Sequence, residues 1–320
     1  MRNGSNMANR ERILITGASG FVGASLARRL IAAGHEVHLM LRTGSNLWRL
    51  AGLAGQYATH LADLRDLPTV RGAVDACRPE VVYHLAADGV RRQPQERADL
   101  ATQNFLGTLH LLEALSRHDY RALVHAGSGA EYGHRRRPIR EGGRLAPRGD
   151  YAVSKAAATL LCQAEARKGR PVTIVRIFTA YGPWEDPARL VPYVMGCCIR
   201  GERPRLTSGR QARDFIHIDD CVELFERAAQ LPRARGRILH AGTGRSRTVR
   251  QMVETLLEVC GKGEPGADFG ARPDRLDEPR RCVADIEKTV AWTGWRPRYD
   301  LREGVEHVWN WYRSVAGRAA

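Results

Sequence analysis

The sequence predicts an α/β protein built on a doubly wound parallel sheet, and three observations carry that reading. Short apolar runs alternate with helix-period stretches through the first 180 residues, the pattern of successive β-α-β units. The runs are nearly continuous in Val, Ile and Leu, so helices must cover both faces of the sheet. A glycine-rich turn, Thr16-Gly17-Ala18-Ser19-Gly20-Phe21-Val22-Gly23, follows the first run directly.

The elements follow in order. Arg12-Ile13-Leu14-Ile15 reads as the first strand, and about 21–33 as the helix behind the glycines. Val37-His38-Leu39-Met40-Leu41 is the second strand, Tyr57-Ala58-Thr59-His60 the third and Val81-Val82-Tyr83-His84-Leu85 the fourth. A long helix over about 96–117 leads to the strand Ala122-Leu123-Val124-His125. Another helix, about 151–167, precedes Val172-Thr173-Ile174-Val175-Arg176-Ile177. After Tyr181-Gly182-Pro183 the texture shifts to shorter elements richer in proline, glycine and arginine.

Composition narrows the function classes. The chain has 320 residues, 43% hydrophobic and 27% charged, enough for a full core. No apolar run approaches the roughly 18 residues that span a bilayer, and the first residues lack a signal-peptide stretch. A cytoplasmic protein without a membrane partner is expected, with 1–9 as a disordered lead-in. The net charge is +15, yet only four of the 50 basic residues are lysine and the arginines spread over the whole chain. That distribution gives no concentrated basic face, so no nucleic-acid partner is expected. The densest cluster, Arg135-Arg136-Arg137, reads as a solvated loop whose field would draw a diphosphate-bearing substrate. Cysteines 77, 162, 197, 198, 221, 260 and 282 show no C-x-x-C spacing, so free thiols and no metal site are expected.

The chemistry starts at the glycines. Gly17 permits the tight turn, Gly20 lets the backbone approach a pyrophosphate and Gly23 allows close helix-on-strand packing. Ser19, Phe21 and Val22 complete this candidate dinucleotide site, where a helix N-terminus aims its amides at phosphate. NAD-selecting sites carry an acid about 20 residues further on. Here the second strand ends Leu41-Arg42, nineteen residues past Gly23, with no acid nearby. Arg42, assisted by Ser45 and Arg49, suits the 2′-phosphate of NADP instead. NADP(H) is therefore favoured, with NAD(H) the other possibility. Tyr151 and Lys155 stand one helical turn apart and share a face. The lysine cation favours the ionised phenol, which suits the tyrosine to pass a proton as hydride moves.

The glycine turn, Ser128 and Tyr151-Ala152-Val153-Ser154-Lys155, in that order, resemble the short-chain dehydrogenase/reductase family in its extended, nucleotide-sugar-modifying branch. The resemblance covers roughly 12–310 and implies a Rossmann domain with a smaller C-terminal substrate-binding lobe. The expected division is 10–180 plus 214–245 for the first, and 181–213 plus 246–320 for the second. It implies that Tyr151 is the acid/base, that Lys155 also bonds the nicotinamide ribose and that Ser128 polarises the reacting oxygen. Asp63-Leu64 resembles the adenine-contacting pair, Leu85-Ala86-Ala87 the small-residue turn beside the cofactor and Asn104 the asparagine that steadies it. For a nucleoside-diphosphate sugar, the resemblance implicates Ser128, Gly129, Ala130 and Thr179. It adds Arg189-Leu190 in the segment closing over the nucleotide, Thr207 and Arg213 in the Arg-Asp-Phe block, and Arg272 as a second diphosphate arginine. Asp214 and His217 are expected to pack or cap. Relatives often have Asn where Arg176-Ile177-Phe178 leads to Thr179. The helices at 96–117 and 151–167 are similar to those that pair across a homodimer.

The segment after Ser128 sorts the sub-reactions. Sugar 4,6-dehydratases place acidic residues between this Ser/Thr and the following Tyr-Gly; here Gly129 and Ala130 stand there and Glu131 is displaced by one. Elimination is therefore not expected. The leading expectation is an NADP(H)-dependent reductase of a nucleoside-diphosphate 4-keto-6-deoxyhexose. The alternative is an NAD(P)-dependent nucleotide-sugar 4-epimerase, and a remoter one a non-catalytic NADP-sensing protein.

Overall fold

Strand β1 (Arg12–Thr16) has Ile13, Leu14 and Ile15 closed off from solvent on both faces. The computed structural model describes residues 10–89, 97–261, 266–274 and 279–316. Beyond the glycine turn, α1 (Phe21–Ala32) buries Gly23, Ala24, Leu26, Ala27 and Leu30, a stripe at helical spacing. There follow β2 (Glu36–Leu41), β3 (Ala58–Leu61), α2 (Leu67–Cys77) and β4 (Val81–His84). Then come α3 (Arg97–Leu100), a π-helical turn (Ala101–Leu106) and α4 (Gly107–Leu115). β5 (Ala122–Ser128), α5 (Asp150–Arg167) and β6 (Val172–Ile177) follow.

Beyond β6 lie β7 (Thr179–Tyr181), α6 (Leu190–Arg200), β8 (Arg205–Leu206), β9 (Ala212–Arg213), β10 (Phe215–His217), α7 (Ile218–Gln230) and β11 (Ile238–Ala241). The chain ends with β12 (Arg247–Thr248), α8 (Val249–Val259), β13 (Asp268–Phe269), β14 (Arg281–Cys282), α9 (Glu287–Thr293) and α10 (Leu301–Ala316).

The main sheet has seven strands in the order β3-β2-β1-β4-β5-β6-β11. Pairings from β3 through β5 are all parallel, with Ile15 opposite Leu39 on one side and Tyr83 on the other. The strand order reverses between β1 and β4, and ligands of such sheets bind beyond the carboxyl ends of the strands at that reversal. The expected doubly wound Rossmann sheet is the one observed.

Two compact units emerge, each with its own core. The first takes in the chain to Gly127, 150–175 and 225–238; the second takes 128–149, 176–224 and 239–320. In the first, Leu14, Val70, Val74, Leu111, Leu115, Leu123 and Ile174 pack together. In the second, Val194, Met195, Val253, Leu256, Val305 and Val308 do so. Each fully buried side chain of this size contributes roughly 1.5–3 kcal/mol of transfer free energy.

This division differs from the expected one, and side chains explain where. Asp214 accepts bonds from Thr243 N, Gly244 N and Ala284 N, which fastens 214 and 243–244 to the second unit. A Glu131–Arg176 pair fastens 128–149 to the same unit. The helix expected over 96–117 is broken in register by its π turn and stops at Leu115, while residue 96 lies outside the described residues. The third strand sits one residue later than expected. Helix α2, with Pro68 in its first turn where a missing N–H costs nothing, was not anticipated. Nor were the substantial helices beyond residue 181.

Candidate active site

In the first unit, the glycine turn admits no side chain at Gly17 or Gly23. Gly17 holds φ +75°, and a Cβ there would lie 2.5 Å from Ala86 N. A Cβ on Gly23 would lie 2.2 Å from Gly17 O. Gly20 N donates to Gly17 O at 3.0 Å and, as N-cap of α1, brings no side chain to the first-turn amides. Phe21 and Val22 open that helix half-buried. Arg49 braces the turn by donating to Ser19 O at 3.2 Å. A bare backbone cradle at the head of a helix fits a dinucleotide pyrophosphate.

Leu85 N and Ala86 N bond back to Thr16 O and Oγ1, so the Leu85-Ala86-Ala87 turn is held against β1. Arg42 is exposed at the end of β2, its guanidinium 3.4 Å from Gln103 Oε1. Ser45 Oγ donates to Arg42 O at 2.8 Å, closing the turn. Asp63 is engaged by Arg65, whose Nη2 lies 2.6 Å away, and that hydrogen bond holds its carboxyl below the usual range. Leu64 is buried, with its carbonyl 2.8 Å from His110 Nδ1.

Asn104, in the π turn, is a junction. Its Oδ1 accepts Asp88 N at 2.8 Å, while its Nδ2 donates to Asp88 O and to Ser154 Oγ at 3.0 and 2.9 Å. Ser154 Oγ donates in turn to Tyr151 O. The asparagine thus joins the turn after β4 to the first turn of α5, where Tyr151 packs its ring against Gly89. Lys155, only 3% exposed, donates from Nζ to Ala126 O at 2.6 Å. His84 bridges Thr16 Oγ1 and Thr108 Oγ1, and burial, then the Lys155 cation, push its imidazole down to about 3.

In the second unit, Ser128 is extended, and its Oγ accepts Ala130 N at 3.2 Å. Its own N–H donates to Glu131 Oε1 at 2.7 Å, completing a capping box. Glu131 Oε2 takes Arg176 Nε at 2.8 Å, with both side chains closed to solvent. Arg176 Nη1 also donates to Tyr132 OH, which lies 2.7 Å from His240 Nε2. Burial, opposed by Arg176, pushes the Tyr132 phenol up to about 12. Gly129 faces the Phe178 ring, 3.2 Å from where its Cβ would be.

The remaining candidates lie in this unit. Thr179 N bonds Asp214 O, and Arg189 caps α6, which opens at Leu190. Thr207 Oγ1 accepts Gln211 Nε2 at 3.3 Å. Arg213 Nη1 donates to Pro279 O at 2.7 Å, while Arg272 lies over the Tyr193 ring at 5.1 Å. Asp214 is buried and fully bonded, raised by burial against those bonds, and His217 is buried beneath Tyr299. Both pack, as expected. A cavity of about 410 Å³ bordered by Arg245, Arg247, Tyr299 and Arg302 includes none of the candidate residues.

Sequence reasoning missed Ser154, His84 and the Arg176 network. The Ser128-x-x-Glu131 spacing was a capping-box signal that would have exposed part of it.

Comparison with known proteins agrees with this geometry. The profile of the NAD dependent epimerase/dehydratase family matches residues 13–242. A dTDP-glucose 4,6-dehydratase of Actinoplanes is 30% identical over 318 residues, covering 95% of this chain and 98% of its own. A UDP-glucose 4-epimerase of Mycolicibacterium smegmatis is 30% identical, covering 95% and 99%. Among solved structures, the Thermotoga maritima UDP-glucose 4-epimerase with UDP-glucose has a TM-score of 0.87 at 26% identity, covering 95% and 99%. The Streptomyces venezuelae dTDP-glucose 4,6-dehydratase, solved with NAD, has 0.85 at 26%, covering 96% and 98%. With its glycine cradle, its Tyr151–Lys155 helix and this match over most of its length, the chain belongs to the NAD dependent epimerase/dehydratase family.

Proposed function

We infer that the protein is a nucleotide-sugar oxidoreductase acting at C4 of the sugar, and that it works as an NADP(H)-dependent reductase of a nucleoside-diphosphate 4-keto-6-deoxyhexose. The observation that carries this is the Tyr151–Lys155 pair. Lys155 is locked to the Ala126 carbonyl, one turn along the helix whose start Asn104 fixes through Ser154. The Gly17–Gly23 cradle, the 85–87 turn and Arg42 would hold the dinucleotide. A reduced nicotinamide bound there supplies hydride to the C4 carbonyl carbon.

Tyr151 gives its phenolic proton to the C4 oxygen, and the Lys155 cation stabilises the phenolate left behind. Ketone plus hydride plus proton yields the alcohol, so the step balances. Ser128 Oγ already accepts the Ala130 amide, so its own proton is free to point at the sugar oxygen. Arg189, Arg213 and Arg272 supply cations for a diphosphate, whose oxygens suit guanidinium forks.

Elimination is not part of this reading. Gly129 and Ala130 carry no acid, and Glu131 is committed to Arg176 and the Ser128 amide. NADP(H) rests on Arg42, which stands where an NAD-selecting site would place a carboxylate. The 4-epimerase reading draws on the Mycolicibacterium relative and on neighbours solved with NAD; it uses the same three residues with retained cofactor.

No helix among the described residues is long and apolar enough to cross a membrane, and a cytoplasmic setting fits. A homodimer is supported by exposed Leu106 and Leu109 along the π turn and α4, and by Val153 and Leu160 on α5. These are the helices the resemblance assigns to an interface.

The deciding experiment follows NADPH and NADH absorbance against CDP-, GDP- and dTDP-linked 4-keto-6-deoxyhexoses, with UDP-glucose and UDP-galactose alongside. Stoichiometric NADPH loss with one keto sugar establishes the reductase. Interconversion of two sugar nucleotides without net loss makes it the epimerase, and silence with every substrate sinks both.

A further inference from the structure

Three soft donors from three separate elements converge within the first unit. They are His38 on β2, His60 on β3 and Cys77, the last residue of α2. One ligand atom from each lies within 4.8 Å of the others. His38 Nδ1 and His60 Nε2 stand 2.8 Å apart, with ring planes 17° from parallel. The other nitrogen of His38, Nε2, lies 3.0 Å from Glu36 Oε1. Nothing in the spacing of 38, 60 and 77 along the chain announces this meeting; the parallel pairing of β2 with β3 creates it.

We propose that His38, His60 and Cys77 form a binding site for a divalent transition metal of the zinc class, with Glu36 orienting His38 from behind. Two imidazoles and a thiolate are the ligand types that select zinc, cobalt or copper over magnesium and calcium. Bonds of about 2.1 Å to nitrogen and 2.3 Å to sulfur put tetrahedral donors roughly 3.3–3.6 Å apart. The histidine nitrogens therefore need to open by only about half an ångström.

The proton inventory suits this role. A carboxylate only accepts, so His38 Nε2 donates to Glu36 Oε1, which leaves Nδ1 with its lone pair, the carboxylate–histidine–metal arrangement. His60 then donates from Nε2 to His38 in the empty site and carries its proton on Nδ1 when a metal binds. The incoming dication displaces the one proton of the Cys77 thiol to solvent. Thiolate and Glu36 together balance the metal's charge, while Arg12 lies on the outer side of Glu36 at 3.5 Å. A solvent water completes the fourth corner.

The site sits at the start of β2, roughly 13 Å along the strand from Arg42 at about 3.3 Å per residue. The ion is thus structural or regulatory, and the proposal is independent of the reaction assigned above.

The test uses the reduced full-length protein titrated with Co²⁺ as the visible counterpart of Zn²⁺. A thiolate-to-cobalt charge-transfer band should rise to saturation at one Co²⁺ per chain and vanish when Zn²⁺ is added. Cys77→Ser should abolish the band. Glu36→Gln, at a half-exposed side chain that leaves the fold intact, should weaken Co²⁺ binding by about 10–100-fold. No band in the wild-type protein, or a band that survives Cys77→Ser, overturns the site. Should Cys77→Ser fail to fold, an unchanged Co²⁺ affinity in Glu36→Gln overturns it alone.

Discussion

Arg176 Nε donates to Glu131 Oε2 across 2.8 Å, with neither side chain reaching solvent. The other carboxylate oxygen accepts the Ser128 amide at 2.7 Å. One buried ion pair therefore fixes the backbone of the residue proposed to orient the reacting oxygen. Arg176→Met strands the Glu131 charge, and breaking a buried pair from one side costs roughly 3–5 kcal/mol. Adding Glu131→Gln removes the stranded charge, so the double variant should regain part of that loss. Urea unfolding of the wild type and the three variants checks this; a double variant as weak as the sum of the singles removes the pair from the argument.

Tyr151→Phe keeps the ring that packs on Gly89 and deletes only the phenolic oxygen. Turnover should fall by about 10²–10⁴-fold or more, the range for loss of a positioned acid. NADPH binding, followed by quenching of protein fluorescence, should stay within a few-fold. Near-normal activity in this variant would overturn the mechanism.

Arg42→Ala separates the two nicotinamide cofactors. If Arg42 holds a 2′-phosphate, its charge-assisted hydrogen bonds are worth roughly 1.5–3 kcal/mol, about 10–150-fold in affinity. NADPH should weaken by that factor and NADH hardly at all. Equal weakening of both in titration calorimetry would show that Arg42 does not read the 2′-phosphate.

Much of this was legible because backbone chemistry is local. Gly17, Gly20 and Gly23 announce a tight turn, and the contacts at 2.5 and 2.2 Å explain why Gly17 and Gly23 leave no room for a side chain. Val81–His84 announces a strand buried on both faces, and it is one. Arg176 was legible only as a strand residue, because its partners Glu131, Tyr132 and Glu141 lie 35 to 45 residues away. The division at 128–149 depended on that pair and could not precede it. His84 read as a strand residue; its bonds to Thr16 and Thr108 depend on sheet register and helix placement.

Acid sensitivity follows from three buried histidines. His84, His217 and His240 are each pushed down to about 3 by burial first; Lys155 adds to this at His84 and neighbouring groups including Arg298 at His217, while the Asp285 carbonyl opposes it at His240. Unfolded histidine titrates near roughly 6.5. Between those values the unfolded chain takes protons that the folded chain refuses, so stability falls as pH drops through that window. Each such histidine contributes a slope of up to about 1.4 kcal/mol per pH unit. Asp214 and Glu141, raised by burial, act in the opposite sense, adding stability as pH falls towards the ordinary carboxylate range and so offsetting part of the histidine effect within the same window. His84→Gln isolates one histidine: its stability at pH 7.5 should be lower than wild type, because the bonds to Thr16 and Thr108 are disturbed. From pH 6 to 5, however, it should lose less stability than the wild type does, by up to about 1.4 kcal/mol. Urea unfolding at the three pH values decides the matter, and parallel pH dependences in the two proteins would show that His84 takes up no extra proton on unfolding.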